Sequence, residues 1–207
     1  MSDSCAMQKT EVVLFDLGGV LVELGGVRDF GDMIGEPDDA QVWARWLGCP
    51  WVRDYERGRC STEEFAAGMV QSYKLEVTPD AFIERFRVWP RGLFAGAYEL
   101  VEALSRRTSV ACLSNSNPLH WEHQCDAFQL GRLFPKRFLS HELDMIKPDR
   151  DIYEHVVREL NCAPSSVCFL DDNQINVDAA RELGVDAHRV TGLEQARELI
   201  VRRGLLD

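Results

Sequence analysis

Residues 11–23 read Glu-Val-Val-Leu-Phe-Asp-Leu-Gly-Gly-Val-Leu-Val-Glu. Val12 to Phe15 is a continuous apolar run, not an alternating one. That is the pattern of a strand buried on both faces, the parallel-sheet situation. Asp16 ends the run, and Gly18-Gly19 turns the chain. A carboxylate at the carboxyl end of a buried parallel strand stands where open α/β sheets bind ligands. Alone, it is as well explained as a turn-former or helix cap, positions that Asp favours.

Working outward, the next clear strand is Val110–Leu113, ending in Ser114-Asn115. The interval is far too long for one crossover helix and carries helical patterns. Trp43, Trp46 and Leu47 share a face. Ser61-Thr-Glu-Glu64 is a capping box ahead of Phe65, Met69 and Tyr73. Thr78-Pro79 starts a helix carrying Phe82, Ile83 and Phe86. Residues 24–93 are therefore expected to form a small all-helical insert after the first strand. Beyond it, Leu100, Val101 and Leu104 belong to a helix, Arg137–Ser140 to a short strand and Asp149–Leu160 to a helix. Val167–Leu170 is a strand ending in Asp171-Asp172. A helix through Ala179, Ala180 and Leu183 stops at Gly184. Asp186–Val190 is a strand, and a capping box at Thr191–Glu194 opens the final helix. Strands alternating with helices predict an α/β fold with a doubly wound parallel sheet, built from residues 1–23 and 94–207.

The 207 residues carry 23 Lys and Arg against 34 Asp and Glu, a net charge of −11. That charge repels nucleic acid and anionic membrane, so neither is an expected partner. An anionic substrate then needs local cations of its own. The seven cysteines are odd in number and form no Cys-x-x-Cys pair; Cys112 and Cys168 lie in apolar runs as small core residues. This usage suits a reducing cytoplasm. Met1–Thr10, which includes Cys5, has no apolar core of the signal-peptide kind. No run approaches the ~18 apolar residues of a membrane helix.

Three apolar strands end in polar groups: Asp16, Ser114-Asn115 and Asp171-Asp172. Any one alone is a strand-ending turn; three on one sheet edge make a site. Like charges ~4 Å apart cost about 4 kcal/mol per pair at an effective dielectric near 20. A hard divalent cation relieves this, and carboxylates with water are magnesium ligands. Ser114-Asn115 offers a hydroxyl and backbone N–H groups to phosphate oxygens. Lys147, ahead of Pro148, is a point charge for nucleophile and phosphate alike; by position alone it is equally a solvated surface lysine.

These pieces, in order, resemble the four motifs of the haloacid dehalogenase (HAD) superfamily. The stretches Leu-Ser-Asn-Ser-Asn, Ile-Lys-Pro-Asp and Phe-Leu-Asp-Asp-Asn are most similar to the subgroup holding α-D-glucose-1-phosphate phosphatase and the phosphatase domain of soluble epoxide hydrolase. The resemblance implies a Rossmann-like core with residues 24–93 as its cap, and a magnesium-dependent phosphatase of a small phosphorylated metabolite, a sugar phosphate being favoured. It implies that Asp16 is the nucleophile and that Ser114, Asn115 and Lys147 bind phosphate, with Lys147 also catalytic. It further implies that Asp16, the Gly18 carbonyl and Asp172 hold Mg²⁺, with Asp171 behind them. Asn176 stands where members with a longer fourth motif have a further Asp.

The departure is Gly18, where the family's phosphatases carry the Asp that protonates the leaving oxygen. Glu23, His120 or a cap residue would have to replace it. The expectation is a steep dependence of rate on leaving-group pKa, with alkyl phosphates poor substrates; a flat profile would mean that such a substitute acid exists. Two rivals follow: a metal-free 2-haloacid dehalogenase, and a HAD-like domain that binds a phosphorylated ligand or a protein without turnover. His120, His123 and Cys125 have no second ligand cluster and do not read as zinc. Gly18-Gly19 is not a dinucleotide fingerprint. Trp43, Trp46, Trp51 and Trp89 read as cap core before sugar platforms, and Arg53 with Arg57 as a solvated face.

Overall fold

The computed structural model describes residues 9–207; Cys5 and most of the Met1–Thr10 segment lie outside the described residues. The chain runs β1 (Val12–Phe15), β2 (Val22–Leu24), α1 (Gly26–Ile34), α2 (Asp39–Leu47), α3 (Pro50–Glu56), α4 (Thr62–Tyr73), α5 (Pro79–Arg87) and β3 (Pro90–Leu93). It continues as α6 (Ala97–Ser105), β4 (Ser109–Ser114), α7 (Pro118–Phe128), α8 (Leu130–Leu133), β5 (Arg137–Leu139), α9 (Ser140–Leu143) and α10 (Arg150–Leu160). After a 3₁₀ turn come β6 (Val167–Asp171), α11 (Gln174–Glu182), β7 (Asp186–Arg189) and α12 (Gly192–Arg202).

The sheet is parallel, in the order β5-β4-β1-β6-β7. The apolar run at Val12–Phe15 is thus the central strand, and its residues are all buried. Val13, Phe15, Cys112 and Leu170 face a core closed by α6, α8 and α12. Val12, Leu14, Leu113 and Phe169 face a second core closed by α10 and α11. The strand order reverses direction between β1 and β6, the topological switch point where such sheets bind ligands. The six described cysteines are free, with Cys112 and Cys168 in the core. Among the described residues no helix is long and apolar enough to cross a membrane.

The insert has its own aromatic core of Phe30, Trp46, Tyr55, Phe65, Phe82, Phe86 and Trp89, which Leu119 of α7 joins. Its α4 carries the expected capping box, with Ser61 and Glu64 reciprocally bonded, and Thr78 caps α5. Four local expectations differ. The insert is rooted on a two-stranded antiparallel ribbon, β2 with β3, rather than being wholly helical. Strands this short, one holding Pro90 and Gly92, give no alternating signal. Trp43 and Leu47 do not join Trp46 in the core but are 41% and 56% exposed. Thr191 makes no side-chain cap; its N–H donates to Gln195 Oε1 instead. Arg53 and Arg57 are not a solvated pair: both bind Asp149 across the insert–core boundary.

Candidate active site

The parallel register fixes three of the groups. Phe15 is level with Cys112 and Leu170, so Asp16, Ser114 and Asp171 leave the sheet at one edge. Carboxylate oxygens of Asp16, Asp171 and Asp172 lie within 4.8 Å of one another. Lys147 comes from the loop between α9 and α10 and is 3% exposed. Its ammonium donates to Asp171 Oδ2 at 2.6 Å and to the Leu113 carbonyl at 3.2 Å, and lies 2.9 Å from Asp16 Oδ1. Three carboxylates and one ammonium leave a formal charge of −2 in a buried space. Burial pushes the Asp16 carboxyl up to about 7; Lys147 pulls it down, and Asp171 and Asp172 add to the rise. Burial works against the Lys147 charge, but Asp16 and Asp171 outweigh it and hold the ammonium above the ordinary lysine range. Burial, then the Asp171 charge, also raises Asp172.

The two carboxylates of the acidic pair differ in role. Asp171 is fully buried and engaged on both oxygens: Lys147 and Asn176 Nδ2 donate to one, and Asn176 and the Asn173 N–H to the other. Asn176 therefore stabilises Asp171 where an Asp would repel it. Asp172 is part-buried beside the Gly18-Gly19 turn, so close that a Cβ on Gly19 would overlap its carboxylate. Gly19 also has φ +69°, a second reason for glycine there. The Asp172 backbone carbonyl accepts from Arg189 Nε at 3.0 Å. The carboxylate oxygens of Asp16, Asp171 and Asp172 give an all-oxygen donor set in a cluster of formal charge −2, which fits a hard divalent cation.

The phosphate-binding candidates also differ. The Asn115 carboxamide brackets the Lys147 backbone, donating to its carbonyl at 3.0 Å and accepting from its N–H at 2.9 Å. It positions the lysine loop. The Ser114 hydroxyl has only a 3.4 Å contact to the Asn115 carbonyl, so it is the side chain left for a phosphate oxygen.

Above these groups lies a cavity of about 490 Å³ whose opposite wall is the insert. Phe30, Trp46, Phe86 and Trp89 line it, with Trp43 and Leu47 exposed at its edge. Gln124 and Trp89, both more than nine-tenths buried, each keep one polar side-chain atom, Oε1 and Nε1, without a partner. Leu24 also lines the cavity and covers Gly18: a Cβ there would come within 2.8 Å of Leu24 Cδ1. Glu56, the last residue of α3, lines the cavity too. The turn that follows it is seated on the core. Arg57 is buried to 11% side-chain exposure and pairs with Asp149; Arg59 Nε donates to Asp144 Oδ1 at 2.6 Å. Gly58, at φ +74°, packs so closely on the His141 carbonyl that no side chain fits.

A sequence-family profile described as haloacid dehalogenase-like hydrolase matches residues 10–184. The chain belongs to that family. D-ribitol-5-phosphate phosphatase of Bacteroides thetaiotaomicron is 23% identical over 198 residues, covering 91% of this chain and 96% of the relative. (S)-2-haloacid dehalogenase 4A of Burkholderia cepacia is 26% identical over 189 residues, covering 86% and 81%. A crystal structure of a HAD family enzyme from Bacteroides thetaiotaomicron, in complex with magnesium and inorganic phosphate, superposes with a TM-score of 0.73 at 24% identity, covering 87% and 93% of the two chains. The HAD core fold and membership of a hydrolase family with phosphatase relatives are therefore established for this chain.

Glu56, Gln124, Asn117 and Ser140 escaped the sequence reading. Asn117 caps α7 and holds His120; the Ser140 hydroxyl bridges the backbone N–H and carbonyl of Ser116. Only the Asn117-Pro118 pair carried a local signal, as a helix start.

Proposed function

We propose that the protein is a magnesium-dependent phosphatase of a small phosphorylated metabolite, acting through an aspartyl-phosphate on Asp16. The observation that carries this is the net −2 carboxylate–lysine cluster at the switch point of the sheet, beneath a cavity walled by the insert. Asp16, the Gly18 carbonyl and Asp172 would hold Mg²⁺, with Asp171 behind them. Magnesium, when bound, supplies charge stabilisation for the transferring phosphoryl group. Asp16 attacks phosphorus from the sheet side. Lys147, held by Asp171 and Leu113, stabilises equatorial charge, and the Ser114 hydroxyl with adjacent amides orients the phosphate oxygens. A 2-haloacid dehalogenase has no use for the Asp172 carboxylate beside Asp16, so the cluster favours phosphate transfer over the dehalogenase reading.

A sugar or polyol phosphate is the favoured substrate class. Aromatic faces and the two unpartnered polar atoms of Gln124 and Trp89 suit a hydroxylated ring or chain, and a polyol phosphatase is among the relatives. The free cysteines agree with a reducing cytoplasm. The test is phosphate release from a panel of sugar, polyol, alkyl and aryl phosphates, with magnesium or with chelator. Turnover that chelator abolishes, and that Asp172→Ala also removes, is the expected result. Undiminished hydrolysis in chelator refutes the metal assignment; release of halide from 2-haloacids without phosphate release refutes the phosphatase.

A further inference from the structure

Gly18 leaves the site without the carboxylate that would protonate a leaving oxygen, and the apolar Leu24 side chain fills the space over it. Three replacements were open from the sequence: Glu23, His120 and a cap residue. Glu23 lies exposed on β2 and does not line the cavity. His120 lines the cavity, but both ring nitrogens are taken. Nε2 lies 2.7 Å from the Phe86 carbonyl, which can only accept, so it carries the proton; Nδ1 accepts from Asn117 Nδ2 at 3.2 Å. Burial pushes its pKa down to about 4, so it is a neutral, fixed ring.

Glu56 remains. Among the described residues it is the one acidic side chain that the insert contributes to the wall of the cavity, which Asp16 and Lys147 line from the sheet side. Its neighbours are Trp46 on α2, Arg53 on its own helix and Lys147 on the core loop. The Arg57–Asp149 and Arg59–Asp144 pairs, with the Gly58–His141 contact, fix the end of α3 against the loop carrying Lys147. The chain at the end of α3 is thus fixed on the core, and Glu56 lines the cavity from that fixed point.

We propose that Glu56 is the general acid and base of this enzyme, a catalytic role transferred from the first-strand loop to the insert. The proposal rests on the aspartyl-phosphate reading above. In the first step an Asp16 oxygen forms a bond to phosphorus. The phosphorus–oxygen bond to the leaving group breaks, its electron pair stays on that oxygen, and the Glu56 carboxyl gives it a proton. The products are a free alcohol, phospho-Asp16 and a Glu56 carboxylate. In the second step that carboxylate takes a proton from water as the water oxygen bonds to phosphorus. The bond to Asp16 breaks, restoring its carboxylate, inorganic phosphate and protonated Glu56. Both in-line displacements occur on the face opposite Asp16, so one group on the insert side serves both. Burial, against the pull of Lys147 and Arg53, pushes Glu56 up to about 7, near the pH at which a single carboxyl can give and take a proton.

The test is kcat/KM for wild type, Glu56→Gln and Glu56→Asp on phosphate esters spanning aryl to alkyl leaving groups, with stopped-flow observation of nitrophenyl phosphate. Wild type should show a shallow dependence on leaving-group pKa. Glu56→Gln should lose roughly 10²–10⁴-fold on alkyl phosphates and far less on nitrophenyl phosphate. It should also release one rapid equivalent of nitrophenol and then stall, because dephosphorylation lacks its base. Glu56→Asp should recover part of the alkyl activity. Equal loss on every ester, or a wild-type slope as steep as the variant's, overturns the role of Glu56. Absence of phospho-Asp16 in wild type and variants alike overturns the underlying aspartyl-phosphate reading and the proposal with it.

Discussion

Asp16→Asn changes one atom and removes one charge from a buried group of four. In the metal-free protein the Asp16 carboxyl is raised from 3.8 to about 7, burial being the largest cause. A raised folded value means the native state favours the protonated form. The stability this provides is complete below the unfolded value near 4 and is lost as pH rises through about 7. At 1.36 kcal/mol per unit, the difference of 7 − 3.8 amounts to about 4 kcal/mol. The amide in the variant cannot ionise and escapes that loss. In chelator the two proteins should therefore be equally stable near pH 4, and the variant more stable by about 4 kcal/mol above pH 8. For a chain of this size that is roughly 8–16 °C in Tm. Glu56, also raised to about 7, acts with the same sign in both proteins and cancels in the difference. Urea unfolding across this pH range, with and without magnesium, measures it. Saturating magnesium should narrow or reverse the gap, since only wild type gains the full binding term. A pH-independent difference in chelator, or a wild type more stable than the variant at high pH, refutes the charge assignment.

Lys147→Ala should weaken inhibition by phosphate and beryllofluoride and lower turnover by at least 10²-fold, as loss of a transition-state charge partner does; coincident inhibition constants would make it a structural lysine. Gly18→Asp should fold, because the obstructing group is the far end of Leu24, which is 43% exposed and can rotate outward. Combined with Glu56→Gln, it should restore activity on alkyl phosphates; no restoration, in a variant that still binds phosphate, would mean that the first-strand loop no longer directs a side chain at the leaving group.

What the sequence made legible was whatever depends on short range. Val12–Phe15, Val110–Leu113 and Val167–Leu170 announce buried strands, and each strand's end dictates where Asp16, Ser114 and Asp171 emerge. The four-motif resemblance then assigned Lys147, whose own position gave no sign that it would be 3% exposed. Illegible was everything decided by how the insert sits on the sheet. Arg53 and Arg57 have the i,i+4 spacing of a solvated face, and only the docked geometry brings Asp149 and Asp144 to them. Trp43, Trp46 and Leu47 share a helical face, yet the cavity divides them into one core ring and two exposed side chains. Glu56 is one glutamate in an acidic chain; its meaning comes from a wall it forms with residues far away in sequence.

That division has a chemical consequence. In a site whose nucleophile and proton donor share one loop, the insert need only exclude water and select substrate. In the proposed reaction Asp16 stands on the sheet and Glu56 on the insert, so the two catalytic groups come from opposite walls of the cavity. The join is polar at its rim. Arg57 bridges Asp149 and the Asp144 carbonyl, and Asp149 follows Lys147 by two residues. The same clasp therefore ties the loop that carries Lys147 to the end of α3, where Glu56 stands. Arg57 also keeps a buried Nε without a partner, an imperfection that leaves the contact weaker than a fully bonded ion pair. The insert thus meets the core through arginine–aspartate pairs at the rim and through apolar contact within, where Leu119 of α7 joins the insert's aromatic core.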